Sequence, residues 1–218
     1  ARALLPLALS ACEKCWQWAQ GLGILEETRR RGVRPDTITY SAIISACEKS
    51  RRWELARALF KQAQREGLTL DVVIYSAMIS ACEKGQESER ALFLLEELQQ
   101  IRLEPDASVF SAAISACEKR RLPEHSWKLL LEMQQREISP SVTAYNAVIS
   151  AFANRGLWME ALSTFEEMCG SLLAPSLITF NALISACAVG QSWRWALHFY
   201  EDLKLQALEP AQETYNSA

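Results

Sequence analysis

The chain repeats itself every 35 residues, and that period limits its fold more than any other feature. A shift of 35 places Tyr40 on Tyr75, Phe110, Tyr145 and Phe180. The same shift places Ser45-Ala46-Cys47 on Ser80-Ala81-Cys82 and Ser115-Ala116-Cys117. A period kept without insertion or deletion marks a repeat array, in which each unit buries its apolar face only against its neighbours. Counting in both directions from Thr37 gives repeats at 2–36, 37–71, 72–106, 107–141, 142–176 and 177–211, with the start of a seventh at 212–218. The opening Ala1-Arg2 and a close inside a helix signal read as a fragment of a longer array, one single domain over residues 1–218.

Each repeat divides into two amphipathic helices. Tyr40, Ile43, Ile44 and Cys47 follow the i, i+3, i+4, i+7 spacing of an apolar stripe and predict a first helix over Thr37–Lys49. After a break at Ser50–Arg52, Trp53, Ala56, Leu59, Phe60 and Ala63 predict a second. Gly67, like Gly32 one repeat earlier, is suited to end it in the left-handed conformation. Pro35, Pro105, Pro140, Pro175 and Pro210 stand one residue before a repeat boundary, with Leu70 at the equivalent place. Proline there stops one helix and stiffens the entry to the next. Asp36, Asp71, Asp106, Ser141 and Ser176 follow as expected N-caps. Stacked hairpins of this kind give an all-α superhelix whose inner wall is lined by first helices.

Composition removes several classes. Half of the 218 residues are hydrophobic, with only 8 Gly and 7 Pro, so a core can form. No apolar run approaches the length of a membrane span, and no membrane association is expected. Cys12, Cys47, Cys82, Cys117 and Cys187 occupy one register, where Phe152 takes the sixth place. Exchange with Phe points to buried packing thiols in a reducing setting. Cys12 and Cys15, with His125 and His198 far along the chain, make no metal-ligand set, and neither metal nor cofactor is expected.

No glycine-rich phosphate loop, H-E-x-x-H or G-x-S-x-G occurs. The pairs Glu26-Glu27, Glu96-Glu97 and Glu166-Glu167 recur at the repeat period and read as a solvated outer face. The chain is therefore not expected to be an enzyme unless further sequence supplies a nuclease or deaminase domain. Trp18, Trp53, Trp158 and Trp193 begin second helices and are expected to pack between helices, whereas Trp16, Trp127 and Trp195 fall outside that register. One of Trp193 and Trp195 is expected at the surface.

What changes at fixed places is the start of the first helix. The residue after the aromatic is Ser41, Ser76, Ser111, Asn146, Asn181 or Asn216, and the residue closing the repeat is Asp36, Asp71, Asp106, Ser141, Ser176 or Ala211. Short hydrogen-bonding residues that vary over a constant core suit a modular, linear ligand.

With these residues in view, the chain resembles the pentatricopeptide repeat family, in its pure 35-residue (P-type) class. VTAYNAVISAFANRGLWMEALSTFEEM from Val142 and LITFNALISACA from Leu177 are similar to its consensus, and the resemblance runs from Arg2 to Ala218. Tetratricopeptide repeats, at 34 residues with a Trp-Leu-Gly-Tyr pattern, fit less well. The resemblance implies a helical-hairpin repeat solenoid, a right-handed superhelix of antiparallel helix pairs, that works as a monomer. It also implies sequence-specific single-stranded RNA binding, one nucleotide per repeat.

In the family the fifth and last residues of a repeat read the base, which lies between the second residues of adjacent repeats. Carried over, the reader pairs are Ser41 with Asp71, Ser76 with Asp106, Ser111 with Ser141, Asn146 with Ser176, and Asn181 with Ala211. The clamps are Ile38, Val73, Ser108, Thr143 and Ile178. The family pattern gives G-G-purine-pyrimidine-pyrimidine from the 5′ end, with cytosine favoured opposite Asn146 and Ser176, while Pro6 leaves the first repeat without a reader. Lys49, Lys84 and Lys119, with Lys14 before them, stand where the family often contacts phosphate. Glu13, Glu48, Glu83 and Glu118 lie beside these lysines and oppose phosphate, in a chain of net charge −3. RNA metabolism in a mitochondrion or chloroplast is likewise implied. The alternative is a scaffold that binds proteins or peptides in its concave groove.

Overall fold

A computed structural model describes residues 18–205, which hold eleven α-helices and no strand. Residues of the first repeat before Trp18, among them Pro6, Cys12, Glu13, Lys14, Cys15 and Trp16, lie outside the described residues. So do Pro210, Ala211 and Asn216. The chain divides into two compact units, Ala1–Ala113 and Ile114–Ala218.

In the first unit α1 (Trp18–Arg30), α2 (Thr37–Lys49), α3 (Trp53–Arg65), α4 (Val72–Lys84) and α5 (Ser88–Gln100) precede the opening of α6 (Ala107–Lys119). In the second unit the remainder of α6 is followed by α7 (Pro123–Gln135), α8 (Val142–Ala153), α9 (Trp158–Gly170), α10 (Leu177–Val189) and α11 (Trp193–Leu205). Within the first unit α2 packs on its hairpin partner α3 and on the next first helix, α4. Within the second, α8 packs in the same way on α9 and on α10. Stacking first helix on first helix makes the fold an all-α helical-hairpin repeat solenoid.

The helices start where the sequence places their caps. Oδ1 of Asp36, Asp71 and Asp106 accepts from the backbone N–H of Thr39, Ile74 and Val109 at 2.9, 3.0 and 2.9 Å. Ser141 and Ser176 do the same for Ala144 and Thr179 at 3.2 and 3.4 Å. The helices end in a second periodic device. Left-handed backbone recurs at Arg51, Gln86, Arg121, Gly156 and Gln191 after first helices, and at Gly32, Gly67, Arg102, Glu137 and Leu172 after second helices. Glycine is the expected residue there, yet seven of these ten ends are not glycine. The following N–H closes a Schellman bond onto the helix each time, as from Arg52 to Cys47 O at 2.8 Å and from Leu68 to Ala63 O at 3.2 Å. That repeated bond, with the stacked helices beneath it, holds non-glycine residues at an angle that costs about 1 kcal/mol.

The core is the predicted one. Tyr40, Tyr75, Phe110, Tyr145 and Phe180 are buried, as are Ala46, Ala81, Ala116, Ala151 and Ala186, which let first helices approach closely. Cys47, Cys82, Cys117 and Cys187 are buried free thiols, and Phe152 fills their register in the remaining repeat. Burial pushes Cys47 and Cys82 up to about 11 and Cys117 up to about 12.

Two expectations change. Glu97 and Glu167 are not on a solvated face. Tyr75 donates to Glu97 at 3.0 Å while Gln64, from the preceding second helix, donates to the same oxygen at 3.0 Å. Tyr145, Gln134 and Glu167 repeat this arrangement in the second unit. Burying a tyrosine ring at a helix contact obliges its hydroxyl to find a partner, and Glu97 and Glu167 supply it, whereas Glu26 and Glu27 are exposed as expected.

The tryptophans differ too. Trp53 lies over Gly85 and Trp158 over Gly190, 32 residues on, so closely that a Cβ at either glycine would overlap the indole. Trp193, by contrast, is 63% exposed. Trp195 is exposed as well and stacks on Phe199 at 6.0 Å, so both members of the pair lie at the surface of the described residues.

Candidate nucleic-acid interface

The first turn of each first helix carries three kinds of residue in a fixed order: a cap, an outward residue at the second position, and a polar residue at the fifth. At the second position Ile38 is 64%, Val73 57% and Ile178 63% exposed, and Ser108 and Thr143 are exposed too. Branched apolar residues left in solvent at a 35-residue interval are not core, because the stripes that build the core begin one or two residues later. Each offers an aliphatic ledge beside a polar group.

At the fifth position Ser41, Ser76, Ser111 and Asn181 are half-buried, and Asn146 is buried at 8% exposure. Asn146 donates through Nδ2 to Ser176 Oγ at 3.1 Å, so this reader pair meets in the structure. Ser76 instead approaches Ser108 Oγ at 3.2 Å, the second-position residue of the next repeat. Asp71 and Asp106 are exposed and spend Oδ1 on their caps. Ser141 caps α8 in the same manner. Capping therefore falls on the same small side chains that the sequence reading expects to face a base. A carboxylate has a second oxygen to offer a ligand, whereas a serine hydroxyl has one oxygen for both tasks.

The lysines are arranged differently from the sequence expectation. Glu48, on α2, accepts a short charge-assisted hydrogen bond from Lys84, on α4, and a second bond from Ser80 Oγ at 2.9 Å. The acid thus ties a first helix to the next one and neutralises the ammonium read as a phosphate contact. Lys49 and Lys119 close α2 and α6 at exposed positions. Two groups were missed by sequence reasoning. One is Thr179, which was unremarkable as a helix residue. The other is the Gln64–Tyr75–Glu97 cluster, signalled only by Gln recurring 11 residues before the aromatic. Among the described residues no group of three His, Cys, Asp or Glu could hold a metal ion, and no helix is long and apolar enough to cross a membrane.

Three family descriptions match this register. The pentatricopeptide repeat domain matches residues 128–190, the PPR repeat family 35–84, and the PPR repeat 73–103, 108–138 and 178–206. The chain belongs to the pentatricopeptide repeat family. Among solved structures of pentatricopeptide repeat proteins, PPR10 in complex with an 18-nt psaJ RNA element is 24% identical over 98% of this chain, with a TM-score of 0.70. PPR10 from maize is 25% identical over the same share with a TM-score of 0.62. The PPR domain of Arabidopsis thaliana protein-only RNase P 1, in complex with tRNA, is 16% identical over 79% of this chain and 91% of its own, with a TM-score of 0.71. The chain spans about a third of the length of PPR10, 35% in the RNA complex. A comparison with curated protein sequences finds no match.

Proposed function

We propose that this pentatricopeptide repeat array binds single-stranded RNA, one nucleotide per repeat, without itself catalysing a reaction. The observation that carries the reading is that Ile38 and Val73 in the first unit, and Ile178 in the second, are exposed beside half-buried polar residues at the same helix starts. A base stacked on an aliphatic ledge gains contact area whatever its identity, and the adjacent polar side chain then selects its edge. The solved complexes of PPR10 with RNA and of the RNase P 1 PPR domain with tRNA support RNA as the ligand class.

In this reading Ser41 with Asp71 and Ser76 with Asp106 favour G, Ser111 with Ser141 a purine, and Asn146 with Ser176 and Asn181 pyrimidines. Ile38, Val73, Ser108, Thr143 and Ile178 clamp the bases. Ser108, which lacks a branched apolar surface, makes the weakest ledge. Lys49, Lys84 and Lys119 meet the phosphates, Lys84 after leaving Glu48. The monomer is the binding species, and organellar RNA metabolism is the service the family suggests. Fluorescence anisotropy with GGACU-type RNA, a scrambled strand and poly(A) tests the reading: the first is expected to bind most tightly. Failure of all three would instead favour a protein or peptide in the groove, a reading to which the neutralised Lys84 lends weight.

A further inference from the structure

We propose that Thr179 is the positioning residue that fixes the side-chain amide of Asn146 and thereby sets a preference for cytosine over uracil at the nucleotide read by Asn146 and Ser176. The inference rests on the RNA-binding reading and deepens it at one repeat.

Asn146 is held at both ends of its amide. Thr179 Oγ1 donates to Asn146 Oδ1 at 2.6 Å, and Asn146 Nδ2 donates to Ser176 Oγ at 3.1 Å. The shorter distance is that of an O–H···O bond and the longer that of an N–H···O bond, so the lengths agree with this orientation of the amide and not with its reverse. Thr179 Oγ1 also accepts the backbone N–H of Ser176 at 2.9 Å and lies 3.1 Å from Ser176 Oγ, a contact in which either hydroxyl could donate. The 2.6 Å contact to Asn146 is the shorter of the two open to the Thr179 proton, so Thr179 donates to Asn146 and Ser176 Oγ gives its own proton to Thr179. Thr179 is completely buried, which keeps water from exchanging into the arrangement.

What remains for a ligand is then a donor. Asn146 Oδ1 is turned to the buried Thr179, Nδ2 retains one N–H, and Ser176 Oγ already accepts from Nδ2 and from Thr179 N. Cytosine presents an unprotonated ring nitrogen at the middle of its pairing edge, where uracil presents an N–H. A donor aimed there is satisfied by cytosine and meets a second donor in uracil.

The residue 33 positions after each reader follows the same division. Ser41, Ser76 and Ser111 are followed by Ile74, Val109 and Ala144, whereas Asn146 and Asn181 are followed by Thr179 and Thr214. A serine hydroxyl turns freely and needs no such partner, while an amide has two unlike ends and does. Thr39, which follows Pro6 at this interval, bonds the cap carboxylate Asp36 at 2.6 Å.

The test compares anisotropy titrations of the whole chain with GGACU and GGAUU strands. Wild type is expected to favour GGACU by about tenfold, the worth of one net hydrogen bond. Thr179→Val should bring the two within about twofold, and Thr179→Ser should keep the preference. Val109 and Ala144 occupy this place in other repeats, so Thr179→Ala repeats the test if Thr179→Val loses helicity. The C-to-U ratio is the readout, which a general loss of packing does not move. An unchanged ratio in Thr179→Val, or no preference in wild type that still binds GGACU over poly(A), overturns the inference. Wild type that binds none of these strands overturns the RNA reading itself.

Discussion

Raising the pH should loosen this array well before its tyrosines ionise, because three of its core thiols cannot easily lose their protons while folded. Cys47, Cys82 and Cys117 are fully buried, and burial raises them to about 11, 11 and 12. In the unfolded chain a thiol ionises near 8.5–9. The folded value lies above the unfolded one, so these groups contribute their full stability below about pH 8.5–9 and lose it as pH climbs towards the folded values. One pH unit above the unfolded value costs about 1.4 kcal/mol per thiol. At pH 10 the three together therefore cost about 4–6 kcal/mol, a large share of the stability of an ordinary domain.

Tyr40 and Tyr75, raised to about 12 chiefly by burial, add a second loss between about pH 10 and 12. Urea unfolding followed by circular dichroism at pH 7, 8, 9 and 10, with a phosphine reductant present, reads the effect. Cys117→Ala should be somewhat less stable at pH 7 but lose roughly a third less between pH 8 and 10. A wild-type midpoint that is flat over that range, or an identical slope in the variant, would refute the buried-thiol argument.

Three further outcomes follow from particular contacts. Gly85→Ala should lower stability by about 1–3 kcal/mol in thermal unfolding, since its Cβ would overlap the Trp53 ring. Leu172→Gly should raise stability by about 0.5–1 kcal/mol in the same assay, because it relieves left-handed backbone at a leucine that is 94% exposed. Glu48→Gln should release Lys84 to RNA and steepen the salt dependence of log affinity by about 0.7. An unchanged slope would mean that Lys84 does not reach a phosphate.

The features legible in the sequence were those that each repeat states again. Tyr40, Cys47 and Ala46 predict their burial because five registers agree on an aromatic, a packing thiol or Phe, and a small residue. Asp36 and Ser141 predict their capping because the residue and its helix are neighbours in the chain. The rest depended on distances between repeats. Glu48 and Lys84 stand 36 residues apart, and only stacking shows that the acid grips the base instead of merely opposing phosphate. Glu97 looked solvated because its partners, Gln64 and Tyr75, come from two other helices. Thr179 was hidden for the same reason: its role depends on Asn146, one repeat earlier. The left-handed Arg51, Gln86 and Leu172 carry no sequence mark at all, since stacked hairpins enforce what glycine would permit.

The central claim is that one repeat reads one nucleotide, and a single substitution tests it most directly. Ser76→Asn, paired in the register with Asp106, changes the proposed reader of the second nucleotide and nothing in the core. Binding of the variant to GGACU strands randomised one position at a time should show preference moving from G to a pyrimidine at the second nucleotide, with the other positions unchanged. A shift spread evenly over all positions, or none at the second, would contradict it.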